Sequence, residues 1–293
     1  MKKITKILVA TDYSQYSDHA VHLAHDLHKK MGAEVTLVHV SDVSPVWDMP
    51  AIDNQARNLL GQFQQEMNKS LEKIMEEQKS RCNVKFESLI KFGNAQKELF
   101  NTINTTKADL LIMGHRGQTG FFGIGSFAEK MIAASPIPVL IAKNNKSFKK
   151  ISCLIDPSKI SQESVAYAKE FAHSFSTNVQ ILVSIADLSS ESLINIPFVI
   201  PSYKFSEAEK MQIAENTKSL IMNHVSGISH QDVHVEISNL STARALSQGL
   251  AEQKADLAIV TKHNRGALEK FFIGSVSKGI LQEFDGNILV LPA

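Results

Sequence analysis

The strongest constraint on this chain is that it repeats itself. KILVATDYS at 6–14 resembles SCLIDPS at 152–158, which sets Asp12 against Asp156 at an offset of 144. TLVHVSD (36–42) matches ILVSIAD (181–187) at 145, ADLLIM (108–113) matches ADLAIV (255–260) at 147, and Gly125-Ser126 matches Gly274-Ser275 at 149. The offset grows only between apolar runs, where loops belong, as it does in two diverging copies of one unit. A chain of 293 residues exceeds one ordinary core and suits two. The polar stretch KNNKSFKK at 143–150 divides them, which predicts domains over 1–145 and 149–293.

Each copy alternates apolar runs with amphipathic stretches. In the first, ILVAT reads as a strand, and Ser17 to Lys30 as a helix with Ala20, Val21, Leu23, Ala24 and Leu27 on one face. The strand VTLVHV and a long polar helix over about 55–80 come next. Then follow a strand VKFESLI, a helix over 95–105, the strand LLIM, a helix from Ser126 to about Ala134, and a closing strand PVLIA. The second copy repeats the order through CLI, VQILVSI, VHVEI, LAIV and NILVL. Continuously apolar strands alternating with helices predict a parallel sheet covered on both faces. A doubly wound sheet opens a crevice at the carboxyl ends of its strands, where the winding reverses beside the first strand. Asp12 and the loop after the fourth strand both belong at that crevice.

Composition excludes several partners. Lys and Arg number 31 against 30 Asp and Glu, so the net charge of +1 offers no basic stripe for nucleic acid. Two cysteines, Cys82 and Cys153, without cysteine–histidine spacing, argue against a disulfide framework or a structural zinc and for a reducing cytoplasm. The apolar stretch ILVA near the N-terminus is too short for a signal peptide, and no segment has the length of a membrane span.

The loop GHRGQTGFFGIGS, residues 114–126, carries five glycines in thirteen residues. GFFGIGS has P-loop spacing, but Ser126 stands where the lysine that reaches the terminal phosphates belongs. GIGSFA matches a dinucleotide fingerprint, yet it lies well past its strand and no acidic residue follows in the window where a ribose would need one. A third pattern fits: Gly114-x-x-Gly117, a short run, then Gly125-Ser126 at a helix start. This resembles the nucleotide loop of the universal stress protein family. The resemblance covers nearly the whole chain, since both halves show the strand-Asp-x-Ser opening, the second strand of HV type, the ADLLIM strand and the closing apolar strand.

That resemblance implies two tandem doubly wound α/β domains of adenine-nucleotide alpha-hydrolase type, each a five-stranded parallel sheet in the order 3-2-1-4-5. It also implies an adenine nucleotide, ATP or AMP, with or without Mg2+. By resemblance Thr11, Asp12 and Val40 flank the adenine and ribose. Gly114, Gly117, Gly125 and Ser126 surround the phosphates, and Met113, His115, Arg116 and Phe127 belong to the same nucleotide site. Asp156, Ile185, Thr261, Asn264, Gly274 and Ser275 are their second-copy counterparts. The chemistry suits these residue types: glycines at 114 and 117 let backbone N–H groups approach an anion. Ser126 at a helix start offers a cap and a hydroxyl, and His115 and Arg116 offer counter-charge. The copies differ. The second keeps nine residues before its GS (RGALEKFFI), the family's usual spacing, but has Thr261 and Asn264 in place of the paired glycines. The first keeps the glycines but has only seven residues, QTGFFGI. The first copy ranks as the better site.

Other features read as structure. His19, His22, His25 and His28 recur every third residue and drift around their helix, so they line its flank and do not form a metal site. His39 packs near the crevice. Leu59, Phe63, Met67, Leu71 and Ile74 read as the core stripe of the long helix. The apolar segment LINIPFVIPSY, 193–203, reads as a cover or a partner surface. No nucleophile, base and orienting group form a recognisable set. The expected function is therefore a cytoplasmic stress or regulatory protein that binds nucleotide, with at most slow ATP hydrolysis or autophosphorylation at Ser126. By resemblance its halves pair through the closing strands, and whole chains form a homodimer. A scaffold binding a protein partner or an apolar ligand is the second expectation, and an ATP-consuming transferase the third.

Overall fold

Apolar β-branched runs bounded by capped helices dictate the architecture. The computed structural model describes residues 3–41, 54–117, 124–187, 205–262 and 274–292, and the chain divides into two compact units at Asn145–Lys146. The first unit runs β1 (Lys6–Ala10), α1 (Gln15–Met31), β2 (Glu34–Ser41), α2 (Asn54–Arg81), β3 (Glu87–Phe92), α3 (Ala95–Thr106), β4 (Leu110–Gly114), α4 (Ser126–Ala134) and β5 (Val139–Ala142). The second repeats it as β6 (Ile151–Leu154), α5 (Gln162–Ser174), β7 (Val179–Ala186), α6 (Glu207–His224), β8 (Val233–Ser238), α7 (Thr242–Glu252), β9 (Leu257–Thr261), α8 (Ser275–Glu283) and β10 (Asn287–Leu291). Asn264, Gly120, Gly123 and the segment 193–203 lie outside the described residues.

Within the first unit the strands are all parallel in the order β3-β2-β1-β4-β5, and within the second the order is β8-β7-β6-β9-β10. Both are the expected 3-2-1-4-5 winding. Leu8, Val9, Leu110, Leu111, Ile112 and Leu140 are buried in the first sheet, and Ile181, Leu257, Ile259, Ile288 and Leu289 in the second. Helices on both faces account for this burial, since a parallel sheet keeps neither face in water.

Local signals set the helix limits. Ser14 caps α1 by accepting from the Ser17 N–H, and Gly32 ends it at φ 69°. Asn94 caps α3, Ser161 caps α5, and Ser206 with Glu209 forms a capping box on α6. The expected face of α1 is the buried one: Ala20, Val21, Leu23, Ala24 and Leu27 are all inside. β3 begins later than the expected VKFESLI because the end of α2 runs on. Asn83 takes φ 53°, and the Val84 N–H still bonds to the Lys79 carbonyl.

The stripe expected on α2 is in the wrong register. Phe63 is 57% and Ile74 39% exposed, whereas Met75 and Gln78 are buried and Met67 and Leu71 half-buried; the side chain of Leu59 lies outside the described ones. The inward face passes through a glutamine, which an apolar-periodicity rule skips. The histidines of α1 pack as expected. His28 Nδ1–H donates to the Ala33 carbonyl at 2.8 Å, and His25 and His28 both lie 6.0 Å from the Phe86 ring. Cys82 and Cys153 are buried and unpaired with each other, and burial pushes both thiols up to about 12. Among the described residues no helix is long and apolar enough to cross a membrane.

The aspartate of each ADL motif ties the sheet together at the edge remote from the crevice. Asp109 Oδ2 accepts from Thr5 N, Thr5 Oγ1 and Lys6 N at 2.7–3.1 Å, where the chain enters β1. Asp256 Oδ2 does the same for Lys149 N and Lys150 N at 3.0 Å, at the entry to β6. Asp109 is buried and holds one bond more, so Asp109→Ala should cost about 1–3 kcal/mol and Asp256→Ala less. Urea unfolding midpoints of the two variants check the ranking.

Candidate functional site

The winding reverses between β1 and β4, so α1 and the segment after β4 diverge and leave a cleft at the carboxyl ends of the strands. In the first unit this cleft holds a cavity of about 280 Å³, near the small end of ligand sites. Its walls include Thr11, Asp12, Val40, Met113, Gly114, Arg116, Gly117, Gly125 and Phe127. Those nine site candidates converge. Register explains why: Ala10 stands opposite Met113 and Val38 in the sheet, so the next residues of each strand meet at one mouth. Ser17, Val38, Ala95, Leu99 and Ala128 also line it. The sequence signalled Ser17 only through its place three residues after the cap of α1.

The turn between β1 and α1 is tightly held. Asp12 Oδ1 accepts from Ser14 N at 3.1 Å. Tyr13 takes φ 66°, an uncommon conformation for a residue with a Cβ, and its ring stacks on His39 at 4.4 Å. His39 Nδ1–H donates to the Thr11 carbonyl at 2.9 Å. Burial lowers the His39 pKa, against the opposing pull of that carbonyl and of Asp12. A neutral imidazole with its proton on Nδ1 follows.

The glycines divide by task. A Cβ on Gly114 would stand 2.8 Å from the backbone carbon and oxygen of Tyr16, so Gly114 exists to let α1 lie against β4. That packing demand stands beside its place in the cavity wall. Gly117 borders the cavity, where a Cβ would meet Asp12 Oδ2 at 2.9 Å. A Cβ on Gly125 would meet nothing closer than 3.6 Å, and its N–H is spent on the His115 carbonyl at 2.7 Å.

Two candidates fall outside the cavity wall. Ser126 is exposed and is the first residue of α4; the cap is Gly125, with no side-chain cap bond, so the expected serine cap is absent. His115 is buried, with Nδ1–H directed at the Ala142 carbonyl at 3.2 Å and its ring edge-on to Tyr16 at 4.7 Å. Burial, with Arg116, Lys143 and His19 adding to it, pushes its pKa down to about 4. It is neutral at pH 7 and supplies no counter-charge. Arg116 is the one cationic side chain among the described wall residues, its guanidinium 5.8 Å over the Tyr16 ring. The starts of α1 and α4, the positive ends of their dipoles, face the same space.

In the second unit Asp156, Ile185, Thr261, Gly274 and Ser275 line one cavity of about 600 Å³; Asn264 lies outside the described residues. Ser161, Ser164, Thr242 and Leu246 join them, at helix starts that no sequence motif marked. Asp156 Oδ1 accepts from both Ser158 N and Ser158 Oγ, at 2.8 and 2.6 Å. Thr261 occupies the place of Gly114, and its Oγ1 donates to Ser164 Oγ at 2.9 Å. A side chain stands where the first unit has bare backbone, and it bridges β9 to α5 through Ser164.

A doubly wound α/β unit with a cleft at the winding reversal, present twice, defines a class of tandem α/β proteins. Within that class the model of the universal stress protein family matches residues 3–143 and again 147–292, and the chain belongs to that family. A universal stress protein of Methanocaldococcus jannaschii is 35% identical over 145 residues, 48% of this chain and 83% of that protein. Universal stress protein YxiE of Bacillus subtilis is 28% identical over 47% of this chain and 98% of its own length. The crystal structure of a universal stress protein from Archaeoglobus fulgidus matches 99% of both chains with a TM-score of 0.66 at 17% identity, which shows the shared fold.

Two outcomes follow from this geometry. Gly114→Ala drives a Cβ into the Tyr16 backbone and should destabilise the protein by about 1–3 kcal/mol, measured by urea unfolding. His115 titrates near 4 in the fold against 6.5 in an unfolded chain, so the unfolded state takes up the proton first as pH falls. Its contribution is whole above pH 6.5 and is lost progressively towards pH 4. The thermal midpoint should fall across that window, and His115→Gln should flatten the fall.

Proposed function

We propose that the first unit binds an adenine nucleotide, ATP or AMP, and that the protein acts as a stress or regulatory factor whose state follows nucleotide occupancy. The observation that carries this is the convergence of Asp12, Arg116 and Gly117 on one cavity with the starts of α1 and α4. An anion meets Arg116 and two helix dipoles there. A ribose finds an acceptor in the Asp12 carboxylate, and a flat base finds apolar wall in Val38, Val40, Met113 and Leu99. Family membership supports the same ligand class.

Turnover is not what this wall is made for. It offers no lysine in the P-loop position, and His39, beside the Asp12 turn, spends its Nδ1 proton on the Thr11 carbonyl. Hydrolysis or phosphate transfer to the exposed Ser126 would therefore be slow. A cytoplasmic location and a homodimer of chains belong to the same proposal, on the strength of the family resemblance. A scaffold role is favoured only for the second unit, where the cavity is larger and Thr261 stands in place of Gly114.

Calorimetric titration of nucleotide-stripped protein with ATP, repeated with AMP and with added magnesium, tests the proposal through its stoichiometry. One site per chain is expected, weakened at least about tenfold by Gly125→Val, whose side chain enters space lining the cavity. Two sites would show that Thr261 is tolerated and that both units bind. Silence with both nucleotides would remove the nucleotide and leave the scaffold.

A further inference from the structure

Gln78 has no exposed surface, although it is a polar side chain on the inward face of α2. Three hydrogen bonds account for it. Thr11 Oγ1 donates to Gln78 Oε1 at 2.8 Å, while Gln78 Nε2 donates to Ser17 Oγ at 3.1 Å and to Asp18 Oδ1 at 2.7 Å. Arg81 holds Asp18 from outside with two bonds of 2.7 and 2.9 Å. Thr11 Oγ1 also accepts from Tyr13 N at 3.0 Å, and Ser17 Oγ donates to the Ser14 carbonyl at 2.8 Å. One side chain on α2 thus grips the segment carrying Asp12 at both ends. Between the grips Tyr13 is kept at φ 66°, a conformation that a residue with a Cβ leaves when released.

The second unit lacks the grip. Thr11 N bonds to the Val38 carbonyl, and Ile155 N makes the matching bond to the Leu182 carbonyl, so Ile155 stands where Thr11 does. Gln78 and Ile221 are each the fourth residue from the end of their helices, and both are fully buried. A polar pair has been exchanged for an apolar one. The turn has lengthened with it: Ser14, the cap of α1, follows Asp12 by two residues, while Ser161, the cap of α5, follows Asp156 by five. None of the residues from Asp156 to Ser161 has a positive φ.

We propose that Gln78 is a positioning residue of the first unit's site: from outside the cavity it locks the turn that presents Asp12, and its loss in the second unit leaves that unit's turn unlocked. The consequence for affinity rests on the nucleotide proposal above; the consequence for the turn does not. Gln78→Met keeps the volume and removes the bonds. Amide hydrogen exchange of the ligand-free variant should show faster exchange at Tyr13 and Ser14, with the sheet amides of β1 and β4 unchanged. ATP should bind about tenfold more weakly, the usual size of an effect when buried polar groups lose their partner. Met75→Leu, buried on the same helix one turn away, is the matched control for a purely structural effect.

Unchanged exchange at Tyr13 and Ser14 in Gln78→Met, or an affinity loss no larger than that of Met75→Leu, overturns the proposal. Should Gln78→Met not fold, Thr11→Val/Gln78→Met removes both partners and is read by exchange at Ser14 in the same way. If the wild-type protein binds no nucleotide, the functional proposal fails while the exchange comparison still decides whether Gln78 locks the turn.

Discussion

The pairing of β1 with β4 is the constraint on which the site depends. It aligns Ala10 with Met113 and so delivers Asp12 and Gly117 to the same mouth. Asp109 fixes that pairing from the far end, by holding the backbone that leads into β1. Gly114 completes it at the near end, by letting α1 settle directly on the strand. A one-residue slip in this register would exchange the faces of every β1 side chain. It would also carry the Asp12 turn away from Arg116.

Seen this way, the two halves differ in a connected set of positions. Gly114 against Thr261, Thr11 against Ile155, Gln78 against Ile221 and the short turn against the long one all concern how closely the first helix and the long helix hold the first turn. The sheet itself has not drifted: both halves keep the same strand order, and both keep the aspartate at the strand entry. Divergence is concentrated at the carboxyl ends of the strands, around the cavities, where packing constrains sequence least.

Most of the fold was legible because buried parallel strands announce themselves as unbroken apolar runs, and α1 because its apolar residues follow the helical period. The site was legible as a location, since winding order and two local motifs converge on it. What could not be read was the task of each residue. Gly114 looked like an anion-binding glycine, but whether a missing Cβ faces a ligand or a neighbouring helix is a fact of tertiary packing. His115 looked like a cation, and only burial beside the Ala142 carbonyl shows it to be neutral. The face of α2 was misread for a related reason. Its key inward residue is polar, so a search for apolar spacing settled on Phe63 and Ile74, which point outward.

The two cysteines bear on how a protein of this family could register oxidative conditions. Sulfur reacts with oxidants and disulfides as thiolate. With both thiols buried and raised to about 12, almost none is thiolate at cellular pH. Neither position has the exposure and low pKa of a redox sensor. The chain is thus close to silent in cysteine redox chemistry. Oxidation at either thiol therefore requires the packing around it to open first.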